Sequence, residues 1–189
     1  MTFWTDPTLE PKRQYKFILS IPGGSQTNGL REFLVKSVDK PKFEIGSVPH
    51  QFLNHTFYYP GRTTWQTINA TVVDTIDPSL NATQEIMTML EESGYDLPTV
   101  PQPPVRGFGT VSKNKAVNAA LGQVKIKTID SNGTTVEEWN LNNAFITNAD
   151  FGSLSYDAED LVTVSLTIQY DNAFINVLNG AGTIPLTSA

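Results

Sequence analysis

The stretch VTVSLTIQYDNAF (residues 162–174) decides the fold. Val162, Val164, Leu166, Ile168 and Tyr170 alternate with Thr163, Ser165, Thr167 and Gln169. A period of two places these sets on opposite faces of a strand, one dry and one wet. The wet set consists of three hydroxyls and one amide, without a charge.

Working outward, the same logic predicts strands over 15–21, 30–38, 52–59, 65–75, 123–130 and 134–141. Pro22-Gly23-Gly24 ends the first, Pro60-Gly61 closes the third, and Asn132-Gly133 marks a tight hairpin between the last two. Residues 52–59 and 65–75 read as an antiparallel hairpin. The segment DKPKFEIGSVPH (39–50) carries two prolines and a glycine and reads as a long excursion rather than a central strand. One helix is expected, opened by Asp77 as cap and Pro78 at its first position. Ala82, Ile86, Met89 and Leu90 form its apolar stripe, and Gly94 follows at its end. The fold class is therefore mainly β (α+β), a barrel or sandwich of antiparallel strands with one packed helix.

Residues 1–14 read as an extended arm, 15–171 as a single β domain, and 172–189 as a tail. Within the domain, 95–122 is a Pro/Gly-rich insert with a short helical turn over 113–121.

Composition narrows the function. The chain has 189 residues, enough for one sizeable core, and only 17% are charged. Low surface charge suits a protein largely covered by partners. Nineteen Asp and Glu against 13 Lys and Arg give a net charge of −6, which argues against a protein that grips duplex DNA through cations. The absence of cysteine excludes disulfides, thiolate metal sites and cysteine catalysis. The opening residues lack the pattern of a signal peptide, and no apolar run is long enough for a membrane helix, so no membrane role is expected.

Catalytic constellations are absent from the sequence. His50 and His55 have no further ligands marked for a metal. Gly107-Phe108-Gly109 lacks the third glycine and the strand-helix frame of a nucleotide turn. Glu137 and Glu138 are strand neighbours facing opposite sides and cannot form one acid/base pair. Glu91-Glu92 adds no convincing dyad, and Asp157, Glu159 and Asp160 read as a solvated acidic turn. No catalytic, cofactor or metal residue emerges, and no enzyme is expected.

Three segments in order resemble one family. YKFILSIPGG…REFLVKSVDKP is similar to an opening strand pair with a proline-bearing loop. FLNHTFYYPGRTTWQTINATVVD is similar to a hairpin whose Gly-Arg turn precedes an aromatic and a Thr/Val strand. GQVKIKTIDSNGTTVEEWNLNNAFITNADFGSLSYDAEDLVTVSLTIQYD is similar to the closing half, ending on the strand quoted above. The family is the tail tube protein of contractile-tailed (myovirus, T4-like) phages and, more distantly, the tube protein of type VI secretion. The resemblance covers about 15–171. The insert over 95–122 and the tail after 171 depart from it.

The resemblance implies a structural virion protein, made in the host cytoplasm, that forms hexameric rings stacked into an inner tail tube for DNA ejection. Expected partners are further copies of the chain, a sheath outside, a tape measure protein and transiting DNA in the lumen, and a baseplate tube initiator. No cofactor is implied. Thr163, Ser165, Thr167 and Gln169 would face the lumen, where neutral hydroxyls let phosphate pass without holding it; six copies at −6 each carry −36 per ring. The same face could instead meet solvent or a neighbour in an ordinary sandwich. Phe43, Glu44, Ile45 and Val48 would lie on a ring-stacking loop. A tube initiator or terminator of baseplate or neck and a soluble ligand-binding β-barrel are the alternatives.

Overall fold

The computed structural model describes residues 10–23, 29–95, 110–157 and 159–177. Residues 1–9 of the expected arm, the proline segment over 98–104, Gly107-Phe108-Gly109 and the tail beyond Val177 lie outside the described residues.

Among the described residues, ten strands build two four-stranded sheets and a ribbon. The first sheet orders β1 (Phe17–Ser20), β6 (Val124–Ile129), β7 (Thr135–Asn142) and β10 (Asn172–Val177) side by side. The second orders β2 (Val35–Val38), β5 (Ile68–Val73), β9 (Thr163–Gln169) and β8 (Phe145–Asp150). The ribbon pairs β3 (Lys42–Phe52) with β4 (His55–Gln66) and nothing else. All named pairs are antiparallel.

The alternation in β9 has the predicted consequence. Val164, Leu166 and Ile168 are fully buried, together with Tyr170 just beyond the strand. They meet Ile68, Ala70 and Val72 from β5 and Leu19, Val124, Ile126 and Leu141 from the first sheet in one continuous core. Two facing dry sides of this kind are what hold a sandwich together. Val162 lies outside that core, exposed before the strand begins.

Several elements differ from the sequence reading. Residues 30–38 hold a 3-10 turn (Glu32–Leu34) before β2, rather than one strand. Residues 39–50 are largely the strand β3, and 52–66 mostly its partner β4, which runs through Pro60 and Gly61 instead of stopping there. The rule against proline in a central strand holds, but in a two-stranded ribbon both strands are edges, and edges accept proline. At the bulge, a Cβ on Gly61 would lie 3.0 Å from the Gly46 carbonyl oxygen, so glycine eases the close approach of the two strands there. β8 went unread because a bulge between Ile146 and Asn148 breaks its alternation. Residues 172–177, read as tail, complete the first sheet by pairing along β7.

Helix α1 (Ala82–Glu92) starts four residues later than the Asp77-Pro78 pair suggests. Asp77 closes its own short turn, accepting from the Ser79 amide at 2.9 Å and hydroxyl at 2.8 Å. The true cap is Asn81, which accepts from the Gln84 amide at 2.7 Å. Asp74, at the end of β5, adds a second anchor by accepting from the Ala82 amide at 2.9 Å and the Thr83 hydroxyl at 2.7 Å. Burial pushes the Asp74 carboxyl up, but the bonds from Thr83, Thr75 and Ala82 outweigh it and hold it below its ordinary value. Ala82, Ile86 and Met89 are buried as the stripe requires, whereas Leu90, its fourth expected member, is exposed. Gly94 ends the helix at φ +103, where a Cβ would meet the Thr110 carbonyl oxygen at 2.6 Å. A π-helical segment, α2 (Lys115–Leu121), packs on α1 and ends with the Gly122 amide donating to Val117 O at 2.8 Å.

Glu137 ties the two sheets to the approach of the ribbon. It is 4% exposed on β7 and pairs with Lys12, with Lys40 at 2.8 Å, and with the Trp139 indole at 2.6 Å. Burial raises its carboxyl, but the bonds from Lys12, Lys40 and Trp139 dominate and hold it at about 2, below its ordinary 4.5. A depressed carboxylate stabilises the fold fully above the unfolded value and loses that contribution as pH falls through the folded value. Glu137→Gln is therefore expected to cost roughly 2 to 3 kcal/mol at pH 7, and little below pH ~2. Urea titrations of both proteins at several pH values check it: the gap must close as pH falls from about 4.5 to 2.

Candidate functional site

Two features stand out as surfaces without an internal packing role: the outer face of the second sheet and the outer part of the β3–β4 ribbon. Register assigns the wet face row by row. Ser37, Thr71, Ser165 and Asp150 lie side by side across all four strands. Asn69, Thr167 and Asn148 form the next row, continued by Asp39. The four residues read from sequence thus sit together on a central strand; polar side chains flank Ser165 and Thr167 on both neighbours, whereas Thr163 and Gln169 at the two ends lie beside Val73 and Phe145.

Part of this face is hydrogen-bonded within the molecule. Asn69 Nδ2 donates to Asp39 at 3.3 Å, and the Thr167 hydroxyl donates to Asn69 Oδ1 at 3.1 Å. The Thr147 hydroxyl donates to Thr167 O at 3.1 Å, and Gln169 Nε2 to Tyr170 O at 3.2 Å. Asp39 lies 3.6 Å from Lys42, and Asp150 accepts from the Gly152 amide at 2.9 Å. The result is a smooth polar surface with two carboxylates, Asp39 and Asp150, which the β9 pattern could not reveal because they lie on other segments.

The ribbon is rooted by aromatic rings packed at a tilt against one another. Trp65 lies 5.9 Å from Tyr170 and 5.4 Å from Phe43, ring centre to ring centre. Alternation puts Phe43 and Ile45 on the Trp65 face near this root, and Glu44 opposite, where it accepts from Gln66 at 3.3 Å. Val48 lies further out beside Tyr59. Beyond it, Phe52, Leu53, Phe57, Tyr58 and Tyr59 are all more than half exposed. Sequence reading places a loop over 39–50 and a strand over 52–59, and names ring-stacking residues only on the loop; exposure on both faces leaves no alternation to join the two into one ribbon. His50 and His55 each lean on an aromatic ring, Tyr59 and Phe57 respectively, at 6.5 Å.

No group of His, Asp or Glu among the described residues could hold a metal. Glu138 faces away from Glu137 and lies 3.4 Å from Lys125. A groove of about 320 Å³ between α1, α2 and β8 is walled by Ile86, Leu90, Ala120 and Phe145, with Ser93 and Asn148 among its few polar groups.

No protein-family model and no curated protein matches the sequence. Solved structures do. One similar chain comes from the 6-fold symmetrised baseplate of the anti-feeding prophage, with a TM-score of 0.61, 11% identity, and 90% of this chain and 98% of that one covered. A second comes from the sheath/tube terminator of the PVC extracellular contractile injection system in its extended state (0.60, 16%, 89% and 98%). A third comes from the tube-terminating cap of the anti-feeding prophage (0.58, 18%, 89% and 93%). This is the tube-protein fold of contractile injection systems. Within the tube fold, the ribbon and the wet sheet face are the surfaces that the chain's own core does not use.

Because the outer ribbon touches little of its own domain, replacing its apolar residues should leave folding intact. The double variant Phe52→Ser/Tyr59→Ser is expected to unfold within about 0.5 kcal/mol of the parent. Binding of an apolar dye to the unassembled chain should fall markedly. Parallel melting and dye-fluorescence curves decide it, and a large loss of stability would mean that the ribbon packs on its own domain.

Proposed function

We propose that this chain is the repeating structural subunit of the inner tube of a contractile phage tail, assembled as hexameric rings stacked into a conduit for DNA ejection. The observation that carries the reading is the wet outer face of an open four-stranded sheet whose edges, β2 and β8, lack neighbours among the described strands. Open edges call for further strands, and here further copies of the chain supply them. Six copies of a four-stranded sheet make a barrel of about 24 strands, which at strand spacing and ordinary tilt is roughly 45 Å across its backbone. Such a passage admits a DNA duplex. The 6-fold symmetry of the baseplate containing a chain of this fold supports the number six.

In this reading Thr163, Ser165, Thr167 and Gln169 face the lumen with Ser37, Asn69 and Thr71. The neutral side chains of β5 and β9 present no cation to phosphate, and Asp150 adds weak repulsion. A sheath encloses the tube, a tape measure protein and then DNA occupy the lumen, and a baseplate initiator starts the stack. The role is structural rather than catalytic. Among the described residues, the strongly engaged carboxylates Glu137 and Asp74 hold fold elements together.

Electron microscopy of the purified chain tests the assembly: long hollow tubes are expected, isolated rings would indicate an initiator, and monomers at every concentration would refute the proposal. The lumen is tested separately by Ser165→Lys/Thr167→Lys. These tubes should form normally yet bind DNA in a salt-dependent manner, while parental tubes bind none. Intact variant tubes indifferent to DNA would remove these residues from the channel.

A further inference from the structure

The chain contains two histidines, and both lie on the outer half of the ribbon. Register places them on one face. Val48 lies across from Tyr59, His50 from Phe57, and Phe52 from His55; alternation turns these six side chains the same way. Pro49, Gln51, Thr56 and Tyr58 turn the other way. His50 and His55 are diagonal neighbours on their face, about 7 Å apart. Each stands against a ring of that face, Tyr59 and Phe57 respectively, at 6.5 Å between centres. All six side chains are exposed.

The two imidazoles have no charged neighbour on the outer ribbon. Residues 47–60 contain no Asp, Glu, Lys or Arg, and the ribbon pairs with no other strand among the described residues. The phenol of Tyr59 is the one further ionisable group on the face. Along the two strands the nearest charges are Glu44, toward the root, and Arg62, at the bulge.

We propose that His50 and His55 gate association through this face by protonation: neutral imidazoles are buried between copies, whereas imidazolium ions on the same face hold the copies apart. The proposal rests on the tube-subunit reading, in which further copies cover the ribbon, and adds the condition under which that contact forms.

Imidazole is the side chain whose charge changes between about pH 5 and 8. Burial in an apolar contact strips water from it and disfavours the charged form. Two cations on one desolvated face, with no carboxylate between them, add mutual repulsion to that cost. The sign follows from linkage. Associated copies bind fewer protons than free ones, so association strengthens as pH rises through the imidazole range and weakens as it falls. Whole-chain charge predicts the reverse: protonating both histidines takes the chain from −6 to −6 + 2 = −4, which eases repulsion between copies. The direction of the effect therefore separates a local gate from a general one.

Tube growth followed by light scattering and electron microscopy tests the gate. The concentration needed for growth is expected to be roughly tenfold higher at about pH 5.5 than at about pH 7.5. His50→Gln/His55→Gln should grow alike at both. His50→Lys/His55→Lys, which carries the charge permanently, should fail at both. Circular dichroism of each unassembled chain reports its folding, and the glutamine variant carries the test if the lysine variant unfolds. Parental growth that is equal at the two pH values, or stronger at the lower, would overturn the gate and leave the tube standing. A folded glutamine variant that keeps the parental pH dependence would do the same. Absence of assembly at either pH would remove the tube, and the gate with it.

Discussion

A two-stranded ribbon cannot hold itself in water, and the arrangement of this molecule follows from that limit. Isolated hairpins are marginal even when short. Here the strands are 11 and 12 residues long, a reach of roughly 35 Å, and nearly every residue is exposed. The sandwich satisfies its own dry faces through the β5–β9 pair and the first sheet. The ribbon is left with rings on both faces and no core of its own. Its outer half gains no stabilisation from the core of its own domain.

That outward direction is fixed by two independent attachments. Lys40, just before β3, reaches Glu137 on the first sheet, while Trp65, near the end of β4, stacks on Tyr170 beyond the last strand of the second sheet. One attachment is electrostatic and the other apolar, and they grip opposite strands of the ribbon at its root. Removing either would free one strand to pivot about the other. The bulge at Gly46 and Gly61 lies beyond both anchors, so twist introduced there re-aims the outer half without loosening the root.

What the sequence disclosed follows a simple division. Where one face of an element is dry and its neighbours are regular, as in β9, β6 and α1, periodicity alone located it. Reading failed where alternation was interrupted or did not report burial. β8 is broken by a bulge at Thr147, and β3 and β4 are exposed on both faces and so carry no inside-outside contrast. The helix start was misplaced for a different reason: Asp74, Asp77 and Asn81 are all chemically able to cap, and only tertiary placement of Asp74 beside Ala82 selects among them. The candidate site was legible in the same measure. Its central strand declared itself, while the flanking Asp39, Asn69, Thr71 and Asp150 became part of the face only through pairing between distant segments.

The wet face also explains how a largely uncharged surface can be stable in water without becoming adhesive. Asn69 and Thr167 spend donors and acceptors on each other and on Asp39, and short side chains lose little rotamer freedom in doing so. Longer charged residues would solvate the face equally well but would extend from it, offering cations to phosphate or carboxylates to one another. Apolar residues would stiffen the sheet yet invite a second layer to cover it. Short hydroxyls and amides avoid both outcomes and leave a polar surface that water covers.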